Sequence, residues 1–126
     1  MKGLLMRYLA VGMASFVGGI LRVLVATAFG RLPFRFPLGT LFINITGSLF
    51  LGWFLTHIAT RQVSDTTRLA IGAGFVGAYT TFSTFMYESS RLADEGAGIE
   101  AIMNLLLSLM LGVLAVRLGM LIARRV

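Results

Sequence analysis

LGTLFINITGSLFLGWFLTHI, from Leu38 to Ile58, contains no formally charged residue. About 20 apolar residues in an α-helix cross the hydrocarbon core of a bilayer, and this stretch has that length. Pro37 stands directly before it, where the start of a helix tolerates the missing N–H of proline. Trp53 lies towards the other end, and tryptophan is enriched at the membrane–water interface. The stretch therefore predicts a membrane-spanning helix.

The composition of the whole chain also indicates a membrane protein. Of 126 residues, 57% are hydrophobic and 13% are charged, whereas an ordinary soluble domain has about a quarter charged residues. A small soluble chain cannot bury so much apolar surface. The composition excludes a disordered chain, a nucleic-acid-binding domain and a small soluble enzyme. The net charge of +6 comes mostly from residues at the ends of apolar runs, where Lys and Arg anchor helices at lipid headgroups.

Three further apolar runs flank the first stretch. We predict an all-α membrane protein in which residues 1–126 form one domain of four transmembrane helices, at approximately 4–29, 38–58, 69–87 and 101–122. The first run contains Ala26-Thr27-Ala28, which is similar to a signal-peptide cleavage site. Arg22 shortly before that site and the three later runs favour a retained span.

The third run contains GAGFVGAYTTFSTF, from Gly72 to Phe85. Glycine permits a non-helical backbone, so we predict that the third helix is broken in mid-span. A broken helix at membrane depth is tolerated where protein or a cavity covers the freed backbone, and freed carbonyls are good ligands for Na⁺. Alternatively, Gly74 and Gly77 simply allow another helix to pack closely. The spacing alone does not choose between the two.

Polar residues recur on three of the predicted helices. Each one alone usually bonds a neighbouring helix, but together they predict a narrow, uncharged path for a small ion or solute. There is no carboxylate pair and no nucleophile–base pair, so we expect no enzyme activity. The residues are Thr40, Asn44 and Ser48 on the second span, Thr81, Ser83 and Thr84 on the third, and Asn104 and Ser108 on the fourth, followed by Gly112.

Phe82 and Phe85 are three residues apart and share one side of a helix. Phenylalanine in a membrane helix is usually only lipophilic. A ring has a positive edge, however, and an edge-on ring stabilises a small anion without a fixed charge. Three charged residues lie near span ends. Snorkelling is the favoured interpretation of Arg117. Arg22 is a candidate for anchoring loop carbonyls or for raising the positive potential of a vestibule. Glu88 is a candidate cap partner, partner of an arginine or vestibule residue.

Four spans place both termini on one side of the membrane. That side carries more basic residues than the other, which favours cytoplasmic termini only modestly and permits insertion in both orientations. The residues are Lys2, Arg7, Arg61, Arg68, Arg124 and Arg125 on the terminal side, and Arg31, Arg35 and Arg91 on the other.

Three segments together resemble the Fluc (CrcB-type) fluoride channel family. They are GGILR from Gly18 to Arg22, GTLFINITGSLFLGW from Gly39 to Trp53 and GFVGAYTTFSTFMYE from Gly74 to Glu88. The resemblance covers nearly the whole chain. It implies passive efflux of fluoride from the cytoplasm through the inner membrane of a bacterium. It also implies an antiparallel homodimer with two pores, or a heterodimer with a paired homologue.

The resemblance further implies roles for individual residues. Phe82 and Phe85 match paired phenylalanines whose ring edges face the anion, and Asn44 matches an asparagine that donates to fluoride. Gly77 and Thr80 match positions whose backbone carbonyls hold a structural Na⁺ at the dimer centre. Ser108, Thr81, Ser83 and Thr84 match polar residues of the path. The sequence departs from the pattern at Gly112, where some members have a hydroxyl, and at Asn104, where members vary.

The alternative function is that of a small multidrug-type exporter coupled to protons. Such proteins also have four spans and form dimers of inverted subunits. Their chemistry needs a carboxylate within the membrane to exchange protons for a cationic drug. No acidic residue of this chain falls in the middle of a predicted span, so the sequence favours the channel.

Overall fold

The computed structural model describes all residues from Met1 to Val126, and every regular element in it is a helix. Helix α1 is Lys2–Gly30 and α2 is Leu38–Ile58. The third helical region comprises α3 (Asp65–Leu69), a π-helical segment (Ala70–Val76), α4 (Gly77–Tyr79) and α5 (Phe82–Asp94), and α6 is Gly98–Ala123. Four units, α1, α2, Asp65–Asp94 and α6, are long and apolar enough to cross a membrane. The prediction of an all-helical chain with four candidate spans is confirmed.

The third region leaves helical geometry at two threonines. Thr80 has ψ 161° and Thr81 has φ −149° and ψ 119°, so both are extended. The Thr81 hydroxyl then accepts a hydrogen bond from the Thr84 N–H at 3.2 Å and caps α5. The glycines of this region precede the extended pair, because Gly72 and Gly74 lie in the π segment and Gly77 begins α4.

Glycines allow two pairs of helices to pack backbone against backbone. A Cβ on Gly52 of α2 would overlap the Val116 carbonyl of α6, and one on Gly119 would overlap the Leu49 carbonyl. Gly18 of α1 and Gly74 of the π segment are related in the same way. A Cβ on Gly18 would overlap the Phe75 carbonyl, and one on Gly74 would press against α1 at the carbonyl of Val11. These reciprocal contacts fix how α2 crosses α6 and how α1 crosses the third region.

Most of the apolar surface of the chain remains uncovered. Only 20 of 126 residues are buried. The exposed large side chains, such as Met13 and Phe16 of α1 and Met110 and Val113 of α6, run along the two longest helices. Large exposed apolar surfaces mark contact with lipid or with another subunit.

Candidate ion-conducting site

A cavity of about 280 Å³ lies between α2, the third region and α6. We call it the main cavity. It brings together polar residues from the three predicted polar helices with both phenylalanines of α5, and no charged residue lines it. The lining residues are Asn44, Gly47, Ser48, Leu51, Val76, Thr80, Thr81, Phe82, Phe85, Ser108, Leu109 and Gly112.

Asn44 of α2 holds the extended backbone on the wall of the main cavity. Its Oδ1 accepts from the Thr81 N–H at 2.9 Å, and its Nδ2 donates to the Thr81 carbonyl at 2.9 Å. Both backbone groups that lose their helical partners at Thr81 are therefore satisfied. A side-chain amide has two N–H donors, so Asn44 retains one for a ligand.

The carbonyls of Gly77 and Thr80 have lost the donors that a regular helix would provide. The donor for Gly77 is the N–H of Thr81, four residues on, and this N–H bonds Asn44 instead. The donor for Thr80 is the N–H of Thr84, which bonds the Thr81 hydroxyl. Arg22 of α1 reaches the Thr80 carbonyl with its Nη1 at 3.4 Å. The Gly77 carbonyl thus has no helical donor, and the Thr80 carbonyl accepts from Arg22 and keeps its second lone pair for a hard cation. These residues fit the Na⁺ that the family resemblance implies.

The two phenylalanines of the main cavity differ in burial. Their ring centroids are 6.2 Å apart and the planes are inclined at 69°, an edge-to-face arrangement. Phe85 is 5% exposed and Phe82 is 72% exposed. The surrounding helices therefore hold Phe85 in place, whereas the Phe82 ring projects from the chain.

The hydroxyl residues near the start of α5 do not all line the main cavity. Thr81 is buried, lines the main cavity and donates from its hydroxyl to Thr84 Oγ1 at 2.9 Å. Thr84 lines a separate cavity of about 260 Å³ together with Thr81, Arg22 and Thr40. Ser83 is exposed and does not line the main cavity.

Glu88 lies in a third cavity, of about 160 Å³, beneath the connection between α1 and α2. Thr40, Arg35 and Arg91 also line this cavity. Arg35 forms an ion pair with Glu95 at 3.1 Å and also donates to the Glu95 backbone carbonyl. The structure therefore separates Arg22 and Glu88, the two vestibule candidates, into different cavities.

A buried pair joins α5 to α6, and sequence patterns alone did not single it out. Asn104 is 0% exposed and donates to Ser89 Oγ at 2.9 Å, while Ser89 donates to the Phe85 carbonyl at 2.8 Å. Asn104 lies four residues before Ser108 on α6, but it does not line the main cavity. The sequence carries one signal for this pair, which is Ser89 four residues after Phe85. A serine in a helix donates readily to the carbonyl one turn back.

Comparisons with known proteins identify the family of the chain. The family model described as CrcB-like protein, Camphor Resistance (CrcB), matches residues 9–120. A relative from Acidobacterium capsulatum named fluoride-specific ion channel FluC is 45% identical, covering 96% of this chain and 98% of the relative. One of the same name from Campylobacter lari is 40% identical, covering 90% of this chain and 94% of the relative. Moorella thermoacetica has fluoride-specific ion channel FluC 2, 42% identical over 94% of this chain and 97% of the relative. These are ion channels rather than enzymes, and with four candidate spans the chain is a multi-pass membrane protein that belongs to the CrcB-like family.

Proposed function

We propose that this protein is a fluoride channel through which the anion leaves the bacterial cytoplasm passively across the inner membrane. The observation that carries the proposal is the main cavity, where an amide and hydroxyls meet two phenylalanine rings without a charged residue. Its relatives are named as fluoride-specific channels. Fluoride enters cells as membrane-permeant HF and dissociates at neutral pH, so an open anion path is enough to lower its concentration.

The chemistry of the cavity suits a permeating anion. Conduction needs binding strong enough to replace water and weak enough to permit exit. Asn44 offers an N–H, Ser48 and Ser108 offer hydroxyls, and the edges of Phe82 and Phe85 offer partial positive charge. A fixed positive charge inside this cavity would make it a trap. An uncharged lining is therefore a reason for fast transit.

We propose further that two copies assemble as an antiparallel dimer, with inverted subunits and two pores. The small buried fraction of the chain supports this, because another subunit would cover apolar surface that is now exposed. A structural Na⁺ would be held by the carbonyls of Gly77 and Thr80 of each subunit, and when bound it coordinates carbonyls that lack the backbone N–H donors of a regular helix. A heterodimer with a paired homologue is the alternative assembly.

The test is fluoride efflux from liposomes that contain the purified protein, followed with a fluoride-selective electrode. We expect rapid fluoride release that needs no pH gradient, and little release of chloride from matched liposomes. Empty liposomes and liposomes with the Phe85→Ile variant are the controls. Absence of fluoride efflux would refute the channel, and proton-driven uptake of a cationic drug would support the multidrug-type exporter instead.

The dimer and the ion have separate tests. Chemical crosslinking in native membranes and single-molecule subunit counting are expected to give two copies per particle. Exchange of Na⁺ for a large organic cation during purification is expected to weaken the dimer. A monomer that conducts fluoride, or a dimer insensitive to Na⁺, would contradict the respective proposal.

A further inference from the structure

A fourth cavity adjoins the main cavity and leads to Arg117. It has a volume of about 370 Å³, and its lining residues are Ser48, Ser108, Leu109, Gly112, Val113, Val116 and Arg117. The first four also line the main cavity. The two spaces therefore lie side by side along α2 and α6, and one cationic side chain lines the space next to the uncharged main cavity.

The guanidinium of Arg117 is free to bind an anion. The ion pairs of the structure join Arg35 and Arg91 to Glu95, and no acidic residue pairs with Arg117. No hydrogen bond occupies its side chain either, in contrast to that of Arg22. A guanidinium carries five N–H donors, so all of them remain available at this end of the cavity.

The hydroxyl of Ser108 supplies a second group without a partner. Its Oγ is buried and has no hydrogen-bond partner, although buried polar atoms are normally paired. Ser108 lines both cavities, of which one also contains Asn44 and the other Arg117. Rotation of the Ser108 side chain into either cavity would give a passing anion a donor.

We propose that Arg117, with Ser48 and Ser108, forms an anion-collecting site that delivers small monovalent anions to the main cavity. This inference rests on the proposed channel function. A positive charge in a cleft raises the local concentration of anions and increases their rate of arrival. Placed outside the main cavity, the charge attracts the anion without holding it in the path.

The position of Arg117 distinguishes it from the other cations of α6. Arg124 and Arg125 already end the same helix with two cations. Arg117 lies two turns before Arg124, about 10 Å closer to the membrane interior along α6. Arg124 lines neither of the two cavities, so it is a matched control for a cation on the same helix that only anchors.

The experiment compares Arg117→Gln, Arg117→Lys and Arg124→Gln in the liposome efflux assay, at ionic strengths set with impermeant salts. We expect Arg117→Gln to lower the rate about three- to tenfold at low ionic strength. The difference shrinks at high ionic strength because salt screens an exposed charge. Arg117→Lys keeps most of the rate, and Arg124→Gln matches the parent protein.

A cysteine variant tests the sign of the charge directly, because the chain has no native cysteine. Arg117→Cys is treated with a positively or a negatively charged thiol reagent of similar size. The positive adduct restores the rate and the negative adduct lowers it further. Equal rates with both adducts, or a loss in Arg117→Gln that salt does not change, would overturn the inference while parent efflux persists. Loss of efflux in the parent protein would instead refute the channel.

Discussion

Replacement of Asn44 by alanine removes both hydrogen bonds that hold the extended backbone at Thr81. The Thr81 N–H and carbonyl each lose a partner at 2.9 Å. A buried backbone group without a partner costs about 1–3 kcal/mol. Water in the adjoining cavity offsets part of this cost, so we expect Asn44→Ala to lower the free energy of unfolding by about 2–4 kcal/mol.

The measurement is an unfolding titration with SDS in mixed micelles, followed by circular dichroism. Ser48→Ala is the matched control, because Ser48 lies one turn further along α2 and lines the same cavity. It makes no hydrogen bond comparable to those of Asn44, so its loss is expected to cost less than about 0.5 kcal/mol. Asn44→Asp keeps an acceptor for the Thr81 N–H but loses the donor to its carbonyl, and we expect an intermediate stability.

Equal stability of Asn44→Ala and Ser48→Ala would refute the reasoning. It would mean that Asn44 does not hold Thr81, and that the Thr81 N–H is not diverted from the Gly77 carbonyl. Fluoride efflux is measured separately on the same variants. We expect a large loss of efflux in Asn44→Ala, because the variant lacks both the donor in the cavity and the support of its wall.

Three further sets of variants test other parts of the structure. Phe82→Ile and Phe85→Ile are both expected to lower fluoride efflux sharply. Because only Phe85 is buried, only Phe85→Ile should also lower the free energy of unfolding, by about 1–2 kcal/mol in the SDS titration. Equal destabilisation by both variants would contradict the burial difference. Asn104 and Ser89 share a hydrogen bond. Asn104→Ala and Ser89→Ala are therefore expected to show a coupling energy of about 1 kcal/mol in a double-mutant cycle of unfolding free energies. Strictly additive effects would argue against the pair. Gly119→Ala forces α6 away from α2 and is expected to lower the free energy of unfolding by about 1–3 kcal/mol. Gly12→Ala is the control, because its Cβ meets no atom within 4 Å, and it should leave the free energy of unfolding nearly unchanged.

The number and type of the helices could be predicted from the sequence because they depend on local properties. The run of apolar residues sets the length of each candidate span, and polar loops separate the spans. The ends were less predictable. The third region begins at Asp65, before its apolar run, because Ser64 caps it and accepts from the Thr67 N–H at 3.1 Å. It continues to Asp94 through polar residues that hydropathy treats as loop.

The position of the extended residues could not be predicted from local sequence. Glycine has the freest backbone of all residues, so the sequence predicts the break in the third helix from Gly72, Gly74 and Gly77. All three are helical in the structure. Gly74 contacts α1 closely, as the packing alternative predicts, whereas a Cβ on Gly77 would meet nothing closer than 4.0 Å. The extended pair is instead Thr80 and Thr81, because hydrogen bonds from α2 and α5 stabilise it there.

The candidate site also shows what helical spacing can and cannot predict. Spacing by four residues placed Asn44 and Ser48 on one face, and both line the main cavity. The same argument placed Asn104 with Ser108, but Asn104 instead donates to Ser89. Four residues correspond to slightly more than one turn, so a row of such positions drifts around the helix. Only the neighbouring helix decides which members face a cavity, and that packing is a long-range property.

Two hydrogen bonds of the extended pair connect the proposed anion path to the proposed cation site. Asn44 Oδ1 takes the N–H that would close the helix on Gly77, and Thr81 Oγ1 takes the N–H that would close it on Thr80. The same two bonds therefore remove both carbonyls from the helical hydrogen-bond pattern at the proposed cation site, and they begin the helix that carries Phe82 and Phe85. A change that restored regular helix through Thr80 and Thr81 would remove the cation ligands and rotate both rings at once. Variants of Asn44 and Thr81 should consequently lose both fluoride efflux and the dependence of the dimer on Na⁺. Variants of the rings alone should lose only fluoride efflux.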